Sequence, residues 1–201
     1  MTSTFDGSSI DGSGYLDVVR LAQHSPGWLD DLVLLWSTYG LAFFALLTAI
    51  GWWRARRAGP AAAVPALAVP AVVIVAYGAD SVLKLVVRED RPCQSLHVTV
   101  LEACPAPGDW SFPSNHAAIA AAAAAALLFV SRRLGAIGAV AALAMAVSRV
   151  WVGAHYPHDI VAGIAVGALT GLLLMTVVRR RSETLARWIT SGRLRPLLVA
   201  P

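Results

Sequence analysis

Charge is scarce in this chain. Asp, Glu, Lys and Arg make up 14% of its 201 residues, against 57% hydrophobic, and the mean hydropathy is +0.65. Soluble domains carry about 25% charged residues, so an ordinary solvated surface is excluded. Cysteine is nearly absent: Cys93 and Cys104 are the two in the chain, too few for a thiolate metal centre or a disulfide-stapled scaffold. Both fall in one polar segment, where a single bridge is open to them if their Cα atoms come within about 7 Å. A continuous basic stripe is also missing. The net charge is +4, but the arginines stand in short clusters at Arg54–Arg57, Arg132–Arg133 and Arg179–Arg181. Each cluster follows an apolar run, which excludes nucleic-acid tracking and fits the bias of cytoplasmic membrane loops. The opening MTSTFDGSSIDGSG has neither the basic nor the apolar region of a signal peptide. It reads as a mobile tail over residues 1–14, with the spans themselves directing insertion.

What is present is a series of apolar runs near the length that a bilayer demands, about 20 residues. Tyr15 to Trp28 is amphipathic and too polar to span, so it is expected to lie in the interface. Spans are expected at about Leu32–Trp53, Ala61–Val87, Ala117–Val130, Leu134–Val152 and Ile160–Val178. Pro65 and Pro70 are expected to kink the second, and glycines and alanines should pack the last three closely. The stretch Glu183 to Trp188 is expected to lie along the cytoplasmic surface. The expected fold is therefore all-α: a single domain over residues 1–201, a polytopic bundle of about five transmembrane helices with an N-terminal amphipathic segment. With the arginine clusters on the cytoplasmic side, five crossings place the Arg88–Ser114 loop and the Gly153–His158 turn together outside.

Three polar stretches border these spans: KLVVREDRP at Lys84–Pro92, PSNH at Pro113–His116, and SRVWVGAHYPHD at Ser148–Asp159. Lys84 and Arg91, seven residues apart, would share a helical face if the helix continued that far. A lysine near the end of an apolar span needs a partner or a route to water, and Asp80 at i−4 is a candidate. Ser114 or Asn115 could cap the alanine-rich helix, whose free N–H groups would make an anion site beside His116. Arg149 should face an aqueous site or an anion. Asp159 can accept a hydrogen bond from Nδ1 of His155, fixing the tautomer and leaving Nε2 free to attack. Taken singly, each stretch also has a bland reading: a snorkelling lysine, an ordinary cap, an interfacial His–Asp pair. The remaining polar residues are read blandly too. His158 is expected beside the site as a turn residue, His97 and Glu102 in solvent, Glu89 and Asp90 paired with Arg88 or Arg91, and His24 in a structural role.

The order K-x6-RP, PS-x-H, SR-x5-H-x3-D resembles the signature of the type 2 phosphatidic acid phosphatase (PAP2) superfamily, from Lys84 to Asp159. SFPSNHA and SRVWVGAHYPHDIVAG are most similar to the bacitracin-resistance type of undecaprenyl-diphosphate phosphatase. Asn115 departs from the glycine found in much of the superfamily. The resemblance implies a phosphohistidine at His155, held by Asp159, with His116 as general acid and then base. It implies that Lys84, Arg91, Arg149, Ser114 and backbone amides near Asn115 stabilise the phosphate oxygens. No metal or cofactor is implied, since three cations supply the charge and no cluster of carboxylates or cysteines offers a metal site. The implied partner is a membrane lipid phosphate, in the bacterial cell membrane with the site facing outward; oligomeric state stays open. The expected activity is hydrolysis of undecaprenyl diphosphate. Phosphatidylglycerophosphate, phosphatidate and other prenyl-linked phosphates are alternative substrates for the same residues. A haloperoxidase would share the anion cradle but should be soluble, and a lipid-binding or transport protein would not need the His155–Asp159 relation.

Overall fold

A computed structural model of the chain describes residues 5–199. The elements are α1 (Ser8–Gln23), α2 (Gly27–Tyr39), α3 (Leu41–Ala58), α4 (Pro60–Val87), α5 (Pro92–Ser95), α6 (Asn115–Val130), α7 (Arg132–Trp151), α8 (Pro157–Arg180) and α9 (Ser182–Thr190), followed by a 3-10 turn at Arg195–Leu197. Among the described residues there is no strand beyond an isolated bridge between Phe5 and Glu89.

α4, α7 and α8 are each long and apolar enough to cross a membrane, and α2 with α3 qualifies as one span bent by 55°. The break falls at Gly40, so the expected span from Leu32 to Trp53 is two helices. α4 runs through Pro65 and Pro70 as one helix. The chain is a multi-pass membrane protein, and its outward residues are apolar, among them Ile74, Val140 and Leu173, each about two-thirds exposed.

α6 is the axis of the bundle. Its 16 residues rise only about 24 Å, short of a hydrocarbon core of about 30 Å. It does not have to match the lipid, because neighbouring helices sheathe it: Ala117 to Leu127 are buried apart from Ile119. Side chains this small let α8 approach closely. A Cβ on Gly163 would lie 2.5 Å from the Ser114 carbonyl oxygen, and one on Gly167 would lie 2.1 Å from that of Ala118. The resulting contact brings the first turn of α8 against the start of α6.

The three arginine clusters end α3, begin α7 and end α8, at the opposite end of the bundle from the polar motifs. There the C-terminal segment closes the bundle. Trp52 Nε1 donates to the Leu197 carbonyl at 2.8 Å, and Arg56 Nη2 to that of Val199 at 3.0 Å.

At the N-terminus the expectation of a tail is corrected from Phe5 onward; residues 1–4 lie outside the described residues. Phe5 exchanges backbone hydrogen bonds with Arg88 and Asp90, and α1 begins at Ser8. Polar composition misled because these groups find partners in the protein rather than in water. Gly167→Leu is expected to cost about 1–3 kcal/mol by overpacking, read as a melting temperature lower by several degrees in detergent.

Candidate active site

Four segments converge at one end of the bundle. α4 ends at Val87 because Arg88 takes a left-handed conformation (φ 52°), and the chain turns back. Arg91 therefore reaches the site from the N-cap of α5 and not from a continued α4, which corrects the shared-face expectation. The loop then crosses the site and re-enters the bundle at Ser114, the N-cap residue of α6. A disulfide joins Cys93 to Cys104 across it, with Cα atoms 6.0 Å apart. α7 delivers Arg149 in its last turn, and a short turn carries His155 to the start of α8.

Asp159 holds these segments together. It is fully buried. Its Oδ2 accepts hydrogen bonds from Ser111 Oγ at 2.5 Å and the Tyr156 amide at 2.9 Å, and lies 3.3 Å from His155 Nδ1. Its carbonyl accepts the Ser114 amide at 3.1 Å. With Nδ1 turned to the carboxylate, His155 Nε2 keeps its lone pair and sits 3.4 Å from Arg91 Nη1. Burial pushes the His155 imidazole down to about 3, against the upward pull of Asp159, so the ring is neutral at physiological pH.

The cations are held differently. Lys84 Nζ donates to the carbonyls of Trp110 and Ser111, at 2.7 and 3.0 Å. Arg91 donates to the Ala154 carbonyl and to both the carbonyl and the carboxylate of Asp109. Burial raises the Asp109 carboxyl, but the Arg91 hydrogen bond and charge outweigh it, and the net shift is downward. Arg149 grips Glu102 with both terminal nitrogens. His116 stands in the first turn of α6, directly after Ser114 and Asn115. Ser114 Oγ and Asn115 Oδ1 are buried without a protein partner. Ser114 makes no side-chain cap, so the first N–H groups of α6 remain available. The free N–H groups of α6 and the three cations lie at the same end of the bundle, and donors of this kind suit a tetrahedral anion.

Behind Asp159 lies a second polar cluster. His158 Nδ1 meets Asp11 Oδ1 at 2.8 Å, and its Nε2 meets Glu89 Oε1 at 2.9 Å. Satisfying both contacts takes a doubly protonated ring or a proton on Glu89, whose carboxyl is pushed up by burial.

The sequence profile of the PAP2 superfamily matches residues 65–183, which include all three motifs. The chain belongs to the PAP2 superfamily. It is similar to an undecaprenyl-diphosphatase of Sulfolobus acidocaldarius, 33% identical over 52% of this chain and 50% of that protein. A decaprenylphosphoryl-5-phosphoribose phosphatase of Mycobacterium tuberculosis is 31% identical over 84% of this chain and 83% of its own length. The undecaprenyl-diphosphatase BcrC of Bacillus subtilis is 36% identical over 45% of this chain and 46% of its own. The chain thus spans about half the length of the first and third of these relatives. In fold it resembles the crystal structure of a transmembrane PAP2-type phosphatidylglycerolphosphate phosphatase from Bacillus subtilis, with TM-score 0.52, 20% identity, and coverage of 85% of this chain and 86% of that one.

All eight expected site residues of this PAP2 chain meet at one end of the bundle, but several partners differ from expectation. Asp80 does not pair with Lys84; it is buried, with neither carboxylate oxygen hydrogen-bonded. Glu89 bonds His158 and not an arginine. Glu102 is an arginine's partner instead of a solvated side chain. His158 is held between Asp11 of α1 and Glu89, with Nε2 3.6 Å from Asp159 Oδ1. Metal-ligand types do gather: Glu89, His158 and Asp159 place ligand atoms within 4.8 Å of one another, a cluster invisible in sequence because Glu89 lies far from the other two. Ser111 opens the SFPSNHA stretch but is given no role by the sequence; its bond to Asp159 appears only in the fold.

The His155 shift has a thermodynamic sign. The folded value of about 3 lies below the ordinary 6.5, so between them the unfolded chain binds a proton that the folded one does not. This group makes stability fall as pH drops from 6.5 towards 3. His155→Asn should therefore lose less melting temperature than wild type between pH 7 and pH 5. An equal loss in both would place the proton uptake elsewhere.

Proposed function

We propose that this protein is a metal-independent lipid phosphatase of the bacterial cell membrane that hydrolyses undecaprenyl diphosphate to undecaprenyl phosphate and phosphate. The observation that carries the reading is the buried His155, its Nδ1 3.3 Å from Asp159 Oδ2 and its Nε2 3.4 Å from Arg91 Nη1. In the first step Nε2 attacks the terminal phosphorus. A P–N bond forms, the P–O bond to the lipid phosphate breaks, and His116 gives its proton to the departing oxygen. In the second step water attacks phosphorus, His116 takes its proton, and the P–N bond breaks to restore His155. Lys84, Arg91, Arg149, Ser114 and the amides at Asn115 hold the equatorial oxygens as charge moves between attacking and leaving atoms. The far-end arginine clusters favour a cytoplasmic position for that end and an extracytoplasmic one for the site.

A single prenyl chain suits the groove beside the site. A cavity of about 600 Å³ between α3, α4 and α6 is lined by Leu41, Phe44, Ala45, Pro70 and Ile119 and ends at Trp52. Ile119 is one turn along α6 from His116, so a lipid whose phosphate meets the histidines has this slot for its first isoprene units. The mycobacterial relative supports a second reading, a phosphomonoester on the same kind of single-chain carrier.

Purified enzyme in detergent with chelator should release phosphate from undecaprenyl diphosphate faster than from phosphatidate or phosphatidylglycerophosphate. His155→Ala should abolish release. Preference for a two-chain glycerolipid would overturn the substrate, activity lost to chelator would overturn the metal-free mechanism, and full turnover by the variant would overturn the nucleophile. Ala45→Trp, filling the groove from its exposed side, should lower kcat/KM several-fold more for undecaprenyl diphosphate than for a phosphate ester that carries no prenyl chain. Equal losses would show that the tail lies elsewhere.

A further inference from the structure

Glu102 has no part in the chemistry proposed above, yet it is built into the site. Arg149 Nη1 donates to its Oε2 at 2.7 Å and Nη2 to its Oε1 at 2.9 Å, a two-point fork. Nη1 also donates to Ser37 Oγ of α2 at 2.5 Å. Both N–H groups of Nη1 and one of Nη2 are thereby committed, while Nε is buried with no protein partner.

Glu102 is itself fixed by the main chain. Its amide donates to the Val152 carbonyl at 3.0 Å, at the head of the turn that carries His155. Two residues on, Cys104 is tied to Cys93, beside the segment that bears Arg91. The side chain of Arg149 is 5% exposed and that of Glu102 32%, so the pair is sheltered from most of the screening that weakens surface salt bridges. A guanidinium held at both ends of its fork cannot swing, and the direction of its Nε–H is set.

We propose that Glu102 is a positioning residue: with Ser37 it clamps the fork of Arg149 so that the Nε–H is presented to the phosphate of the substrate. The proposal rests on the phosphatase reading and adds a role for the disulfide-closed outer loop. It is opposed by one clear rival, in which Glu102 occupies Arg149 as a competitor that phosphate must displace. The two predict opposite signs. Loss of a clamp weakens anion binding, whereas loss of a competitor strengthens it.

The test uses the full-length enzyme in detergent, with wild type, E102Q, E102D, R149M and the double variant E102Q/R149M. Two quantities are measured: kcat/KM for phosphate release, and the Kd of inorganic phosphate by calorimetry. E102Q is expected to raise that Kd and lower kcat/KM on the order of tenfold, within the usual range for coupled neighbours. E102D, which keeps the charge, should recover part of the loss. In the R149M background E102Q should add less than twofold, because its effect passes through the arginine. Tighter phosphate binding in E102Q would overturn the proposal in favour of the competitor. Losses that multiply in the double variant would overturn it in favour of a general structural role for the loop. If wild type released no phosphate from any lipid, the phosphatase reading would fall. The calorimetric arm would still report whether Glu102 acts on anion binding through Arg149.

Discussion

The buried carboxylate of Asp159 is the tie on which the arrangement of the site depends. Desolvating a carboxylate costs several kcal/mol; donors gathered on Oδ2 offset part of that cost, while Oδ1 is buried with no hydrogen-bond partner. Here the donors come from three places: the Ser111 hydroxyl of the loop before α6, the Tyr156 amide of the turn, and the His155 ring. The carbonyl of the same residue holds the amide of Ser114 at the start of α6. One residue thus selects the conformation of the loop, the turn and the α6 terminus together. A shift in any of the three leaves a charge unsatisfied in a low-dielectric setting, so the site forms as a unit.

That tie is possible because α8 and α6 lie unusually close. Gly163 and Gly167 present bare backbone to the carbonyls of Ser114 and Ala118, and the alanines of α6 offer no bulk to hold α8 away. Apolar driving force within a bilayer is small, so close packing of small residues does the work that hydrophobic burial does in water. The chain from sequence to chemistry is short here: a glycine stripe sets the helix spacing, the spacing sets the reach of Asp159, and that reach fixes His155.

The helices and the motif residues were legible in the sequence because each carries a periodic or positional signal. Apolar runs marked the spans, and arginine clusters marked one end of the bundle. The charged and polar motif residues stood out against an apolar background. What was not legible depends on contacts between distant segments. Glu102 and Asp109 look like solvated loop residues until the loop folds back onto Arg149 and Arg91. Asp11 and Glu89 mean nothing to His158 until Phe5 pairs with the chain beside Glu89. The Asp80–Lys84 pair failed for the converse reason. An i,i+4 spacing permits an ion pair, but the carbonyls of Trp110 and Ser111 reach Lys84 first.

The loop carboxylates raise a question of charge balance. Lys84, Arg91 and Arg149 face Asp109, Glu102 and Asp159, so the resting site is close to neutral in formal charge. An arriving phosphate must find attraction that is not already spent. The Asp109 side chain is 54% exposed, and an ion pair this open is worth about 0–1 kcal/mol, so its hold on Arg91 yields readily to a dianion. Glu102 is more sheltered, and with Ser37 it occupies both N–H groups of Nη1 and one of Nη2 on Arg149. Lys84 differs from both, because its contacts are neutral carbonyls and its charge is not cancelled by any carboxylate in contact among the described residues. The N-terminus of α6 adds a partial charge of about +0.5 beside it. On the proposed reading the pull on the anion falls mainly on Lys84 and the helix terminus, while Arg149, clamped by Glu102 and Ser37, contributes direction. Such a division keeps a rigid donor in place at the moment of phosphoryl transfer, where reorganisation costs rate.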